Sequence, residues 1–217
     1  MSETGPYWVC TLLETKTRLR AGYGVSTNES DAAQRLWRRW RWRRGLRTPP
    51  PLVSDSFGGH RDALLSVFGV PQTKQPKARL QAGKDWQYVQ LHKVLDHYRR
   101  VIRVYPRIIW GADHQAAQAL KLNTAYVERT HLSSRLMNAR LVRKTLGFSK
   151  TAHMLIASVI WGDLVYNLVR PLKSLRLPLP FGKRRWQHRS PAMAAGLTHH
   201  LWSFAELLWT LPVPTNT

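Results

Sequence analysis

The apolar positions run first with a strand period and then with a helical one. Tyr7 to Leu13 is rich in strand formers, "ETKT" is a polar turn and Arg18 to Val25 returns, which predicts a hairpin. In "NESDAAQRLWRRWRWRRG" the period lengthens. Ala33, Leu36, Trp37 and Trp40 form an apolar stripe, and arginines fill the other face. Asn28 or Ser30 can cap this helix, Glu29 and Asp31 lie near its positive end, and Gly45 stops it. Three prolines in "TPPPLVSD" forbid helix, and "PLVSD" is a short apolar strand that ends in a carboxylate. "FGGHRDALLSVFG" then predicts a helix with Ala63, Leu64, Val67 and Phe68 on one side.

The second half of the chain is read as mostly helical. "VPQTKQPKARLQAGKDW" is a basic loop. "YVQLHKVLDHYRRVIRVYPRIIWG" is ambiguous at its start and ends as a strand around Val101 to Trp110. "DHQAAQALKL" predicts a short helix, Asn123 to Lys150 the next, and "FSKTAHMLIASVIWGDLVYNLV" a more apolar one stopped by Pro171. Ser190-Pro191 and Thr198 are helix starters in the tail. Strands first, a strand ending in Asp, then helices: this order predicts an α/β domain with a helical C-terminal half.

Charge changes the picture. Lys and Arg number 34 against 12 Asp and Glu, a net charge of +22 with a pI near 11.3. Such a chain repels itself unless a polyanion screens it, and DNA, RNA and anionic membrane are the usual candidates. The longest apolar run, Ala152 to Trp161, is shorter than the roughly 20 residues of a spanning helix, and Gly162-Asp163 is expected to end it. No membrane partner is therefore expected. The N-terminus has no signal-peptide pattern, and the single cysteine, Cys10, excludes an internal disulfide, so a cytoplasmic location is expected.

The carboxylates are few enough to sort one by one. Most fall in turns or at helix starts; Asp55 and Glu128 are the two that stand out. Asp55 closes an apolar strand ahead of "SFGGH", and strand ends in α/β sheets are where sites form. Glu128 lies among Arg129, His131, Arg135, Arg140, Arg143, Lys144 and Lys150. On a helix, His131, Arg135 and Asn138 fall within about 80° of Glu128. Tyr126, Val127, Met137 and Leu141 fall on the opposite, core-facing side. Two readings of Glu128 stay open at this point: a solvated ion-pair partner, or an oxygen ligand for Mg²⁺ beside phosphate. Trp37 and Trp40 read as core, whereas Trp42 and the arginines around it are free to meet phosphates or stack on bases. The histidines lack zinc-ligand spacing, and no Ser-His-Asp pattern, phosphate loop or dinucleotide fingerprint is present.

"LVSDSFGGHRDALLSVFG" and "NTAYVERTHLSSRLMNARLVRKTLGFSK" resemble two blocks of the insertion-sequence DDE transposases, the family named for insertion sequence one and its relatives. "VYNLVRPLKSLR" and "RSPAMAAGLTHHLWS" resemble the C-terminal region of that family. The resemblance implies an RNase H-like (integrase-type) core over residues 5–170, followed by a basic extension over 171–217. It makes Asp55 the second catalytic acid and Glu128 the third, both ligands of Mg²⁺ or Mn²⁺. It makes Arg129, His131, Arg135, Arg140, Arg143, Lys144 and Lys150 DNA-binding. It implies double-stranded DNA, at terminal inverted repeats and target sites, as the partner. It also implies oligomers, of this chain alone or mixed with a full-length transposase, in the nucleoid.

Two departures qualify the resemblance. The family carries its first Asp on a strand upstream of the "YWVC" hairpin, and no carboxylate before Asp55 sits mid-strand here. "SDSFGG" also replaces the usual Gly-Trp after the second acid. The expectation is thus an incomplete core that lacks its first strand, an N-terminally truncated chain inactive by itself. The alternative is a non-catalytic basic DNA-binding protein that modulates a full-length transposase. An RNA-binding role needs only the charge and has no RNA-module motif behind it.

Overall fold

The computed structural model describes residues 7–73, 78–111, 124–142, 145–180 and 185–210. The fold is mixed α/β. The chain divides into two compact units, Met1–Thr11 with Gly22–His131 and Leu12–Ala21 with Leu132–Thr217.

The expected hairpin is present. Strands β1 (Trp8–Leu13) and β2 (Arg20–Ser26) form a two-stranded sheet. Helix α1 (Glu29–Arg44) follows, and its boundaries have local causes. The Asn28 side chain accepts from the Ser30 and Asp31 amides, and Gly45 ends the helix at φ 62°, a left-handed conformation that suits glycine. Ala32, Ala33, Leu36 and Trp37 are buried, and Trp40 packs edge-on against Trp37 at 5.7 Å. Gly24 lets β2 lie directly on this helix, since a Cβ there would sit 1.9 Å from the Ala32 carbonyl oxygen.

Strand β3 (Leu52–Asp55) leads into α2 (Gly58–Phe68), which buries Ala63, Leu64, Val67 and Phe68, the face its sequence predicts. Helices α1 and α2 pack on one another, with Trp37 edge-on to Phe68 at 6.1 Å. The segment read as a basic loop contains a short antiparallel pair, β4 (Val70–Pro71) with β5 (Leu80–Gln81). The ambiguous stretch is two strands, β6 (Tyr88–Leu95) and β7 (Val101–Trp110). The sheet order is β3-β6-β7, with β3 parallel to β6 and β6 antiparallel to β7. Both β1 and β3 are edge strands of their sheets. The predicted helix at Asp113 to Leu122 lies outside the described residues.

Helix α3 (Ala125–Met137) is shorter than the sequence implies. Asn138 ends it by turning its side chain to the Arg140 amide, which starts a 3-10 turn at Ala139–Leu141. Thr130 is its buried residue, while Leu136 and Met137 are exposed, so the expected core face at Met137 does not form.

In the second unit, α4 (Ala152–Leu164) starts at Thr151, whose hydroxyl accepts from the Met154 amide. Gly162-Asp163 does not stop it. The helix continues through a π turn at Val165–Val169. The run Ala152–Val169 is long and apolar enough to cross a membrane by length and composition, contrary to the expectation from the shorter apolar segment. Asp163 is tolerated in it because Arg20, 3% exposed, forms an ion pair with it at 3.1 Å. Arg20 also stacks over Tyr166 at 3.9 Å, and its backbone N–H donates to Asn167 Oδ1. A short pair, β8 (Leu177–Pro178) with β9 (Trp186–Gln187), and helices α5 (Pro191–Ala194) and α6 (Phe204–Thr210) complete the unit.

Candidate functional site

Asp55 stands at the C-terminal end of β3, opposite Leu91 of β6. Cross-strand partners share a face, and so do residues two apart on one strand. Asp55, Leu91 and Lys93 therefore lie on one face of the sheet. Glu128 of α3 joins that face through Lys93, whose ammonium donates to Glu128 Oε1 at 2.8 Å. The fold thus brings the two sequence-selected acids to one side of one sheet, 73 positions apart in sequence (128 − 55). Ser54, Tyr88 and Gln90 lie on the opposite face, where the Tyr88 hydroxyl meets Ser54 Oγ at 2.8 Å and Gln90 Nε2 at 2.9 Å.

The two acids have different surroundings. Asp55 is 62% exposed at its side chain, accepts from the Phe57 amide at 3.2 Å and lies 3.7 Å from His60 Nε2. Burial lowers the His60 pKa, against the pull of Asp55. Glu128 is 54% exposed and also accepts from Thr124 Oγ1 at 3.1 Å. The Lys93 hydrogen bond holds the Glu128 carboxyl below its ordinary pKa, with the nearby His131 adding a smaller pull.

Three neighbours were not selected from the sequence. Lys93 is the cation on Glu128, and His60 is the imidazole beside Asp55. Glu29 is the third. Burial and then the charge of Asp55 raise its pKa, so the two carboxylates share a neighbourhood. Helices α1 and α2 start side by side, and a Cβ on Gly59 would come 2.7 Å from Ser30 Oγ. That places the first turn of α1 near the end of β3. Cys10 of β1 feels the same acids: burial, Asp55 and Glu29 push its thiol up to about 12. In the sequence Glu29 reads only as a helix-start residue, and its nearness to Asp55 shows only once β3 and α1 are placed.

Among the expected DNA-binding residues, Arg129 and Arg135 are exposed on α3, and His131 is half-buried. Arg140 is exposed on the 3-10 turn, its guanidinium donating to Ser149 Oγ at 3.4 Å, and Lys150 is exposed. Arg143 and Lys144 lie outside the described residues. Trp42, 83% exposed, is available as the sequence implies, and Trp37 is core.

Carboxylate oxygens are the donors Mg²⁺ prefers. Among the described residues, however, no three His, Cys, Asp or Glu side chains converge as a metal site. Asp55 and Glu128 are therefore two separate donors on one face and do not make a metal centre by themselves.

Comparison with protein-family models, with curated proteins and with solved structures finds no match.

Proposed function

We propose that this chain is an RNase H-like transposase core of the DDE type that binds double-stranded DNA and does not cleave it unaided. The observation that carries the reading is the shared sheet face of Asp55, at a strand end, and Glu128, in a chain of net charge +22. The β3-α2-β6 order, with β3 parallel to β6, is compatible with such a core. So are the edge positions of β1 and β3, because the first strand of an RNase H-like sheet would pair there.

DNA is favoured over other polyanions by the exposed cations beside Glu128 and along the 3-10 turn, together with the motif resemblance. Each phosphate contact releases counterions, so affinity should fall steeply with salt. Mg²⁺ or Mn²⁺, when bound, would supply Lewis-acid activation at a DNA phosphate. Asp55 and Glu128 would be its ligands only when further donors complete the set, in an assembly with a full-length transposase. The nucleoid is the matching location.

The test is a pair of assays on the full 217-residue chain. Duplex DNA should be bound with similar affinity by the wild type, Asp55→Asn and Glu128→Gln, and replacing Arg135 and Arg140 with Ala should weaken it. Cleavage or strand transfer by the chain alone in Mg²⁺ would contradict the incomplete-core reading. Tighter binding to structured RNA than to duplex DNA would contradict the choice of partner.

A further inference from the structure

Strand β3 pairs with Tyr88 to Leu91 of β6, and beyond that reach the sheet continues, among the described residues, as the two strands β6 and β7. This ribbon runs outward from His92, which is half-buried, and Tyr105 to the turn at Asp96–Arg100, and from Lys93 onward its strands are exposed on both faces. The turn is well made for a projecting element. Asp96 Oδ1 accepts from the Arg100 amide at 2.7 Å, and Arg99 takes the left-handed conformation at φ 61°. At the tip, Tyr98 is 67% exposed and Ile102 65%.

Charge on the ribbon is one-sided. From Lys93 to Arg107 there are five Lys and Arg against one acid, Asp96. The alternation of β7 puts Arg103, Tyr105 and Arg107 on one face, and the register pairs them with Val94, His92 and Gln90. Tyr105 stacks on His92 at 5.5 Å with an interplanar angle of 21°. Arg103 and Arg107 are four residues apart, about 13 Å along a strand at roughly 3.3 Å per residue. That is near the ~12 Å width of the DNA major groove, which admits a two-stranded ribbon. The opposite face carries Leu95, Val104 and Ile108 around Lys93, whose ammonium is taken up by Glu128.

We propose that the β6–β7 ribbon is a DNA-docking arm, with Arg103 and Arg107 on phosphates at the two walls of the major groove, the His92–Tyr105 pair over the base edges, and Arg99 and Arg100 on the flanking backbone. A second copy of the chain is the competing occupant. Face-to-face pairing of identical ribbons would set like charges together, which disfavours it. The arm rests on DNA being the partner, as above, but not on the two acids.

The experiment measures binding of the full chain to a 30-bp duplex by fluorescence anisotropy across a salt series. Each phosphate contact contributes about 0.9 to the slope of log affinity against log salt. Replacing Arg99, Arg100, Arg103 and Arg107 together with Ala should make that slope shallower by about 3.6 and weaken binding at least ~100-fold at moderate salt. The same four changed to Lys should keep most of the slope, which separates lost charge from lost fold. A wild-type slope in the Ala variant overturns the arm. So does a dimer that becomes monomeric in sedimentation on Val104→Asp while DNA binding stays unchanged, because the ribbon is then an interface between copies. Failure of the wild type itself to bind duplex DNA would overturn the proposed function rather than the arm alone.

Discussion

Arg20→Met should be among the most damaging single changes in the second unit. Arg20 and Asp163 are 3% and 17% exposed at their side chains and 3.1 Å apart. Removing one partner of a buried pair leaves the other charge uncompensated, typically about 3–5 kcal/mol. The stacking on Tyr166 at 3.9 Å is lost as well. For a chain of this size each kcal/mol shifts Tm by about 2–4 °C, so the variant should melt roughly 6–20 °C lower. Replacing both partners, Arg20→Met with Asp163→Leu, removes both desolvation penalties and should restore most of that loss. Burial pushes Asp163 up to about 6 despite its partner. A folded pKa raised above 3.8 means that this stability contribution is full below about pH 4 and lost as pH rises through about 6. At about 1.4 kcal/mol per unit this is worth about 3 kcal/mol. The wild type should therefore lose stability relative to Asp163→Asn between pH 4 and 7. Urea unfolding of the three variants at both pH values measures this. Additive losses in the double variant, or a wild type that gains on Asp163→Asn as pH rises, would refute the reasoning.

Two further outcomes follow from the acid neighbourhood. With its pKa near 12, Cys10 has about 10⁻⁴ of its thiol ionised at pH 8, against roughly a quarter for a free cysteine, so alkylation should be about 10³-fold slower than in a model thiol; Asp55→Asn should speed it, and an unchanged rate would remove Asp55 from the surroundings of Cys10. Lys93→Gln should move the Glu128 titration, followed by carboxyl NMR, back up toward the ordinary glutamate range. Because that pair is exposed, stability should change by less than about 1 kcal/mol; a larger loss would mean Lys93 holds α3 in place.

Local signals carried much of the first unit. The stripe and cap of α1, Gly45 as its stop and the buried face of α2 follow from spacing and capping residues alone. The run "YVQLHKVL" did not decide between helix and strand, because its inner half is buried and its outer half exposed, so neither period dominates. What the sequence left open depends on distant partners. Gly162-Asp163 looked like a helix end because Arg20, which accommodates the acid, is 143 positions away. The helix at Glu128 looked longer because Asn138 can continue a helix or turn its side chain to the next amides. Asp55 and Glu128 stood out by their place in the pattern, but Lys93, His60 and Glu29 became neighbours only through the pairing of β3 with β6 and the packing of α1 on α2.

DNA binding without cleavage is tested most directly by incubating the purified chain with a 40-bp duplex and with supercoiled plasmid, in Mg²⁺ and separately in Mn²⁺. A salt-sensitive complex with the duplex and a plasmid left without nicks are expected, in wild type and in Glu128→Gln alike. Nicking by the wild type that Glu128→Gln abolishes would contradict an incomplete core, and no complex at low salt would contradict DNA as the partner.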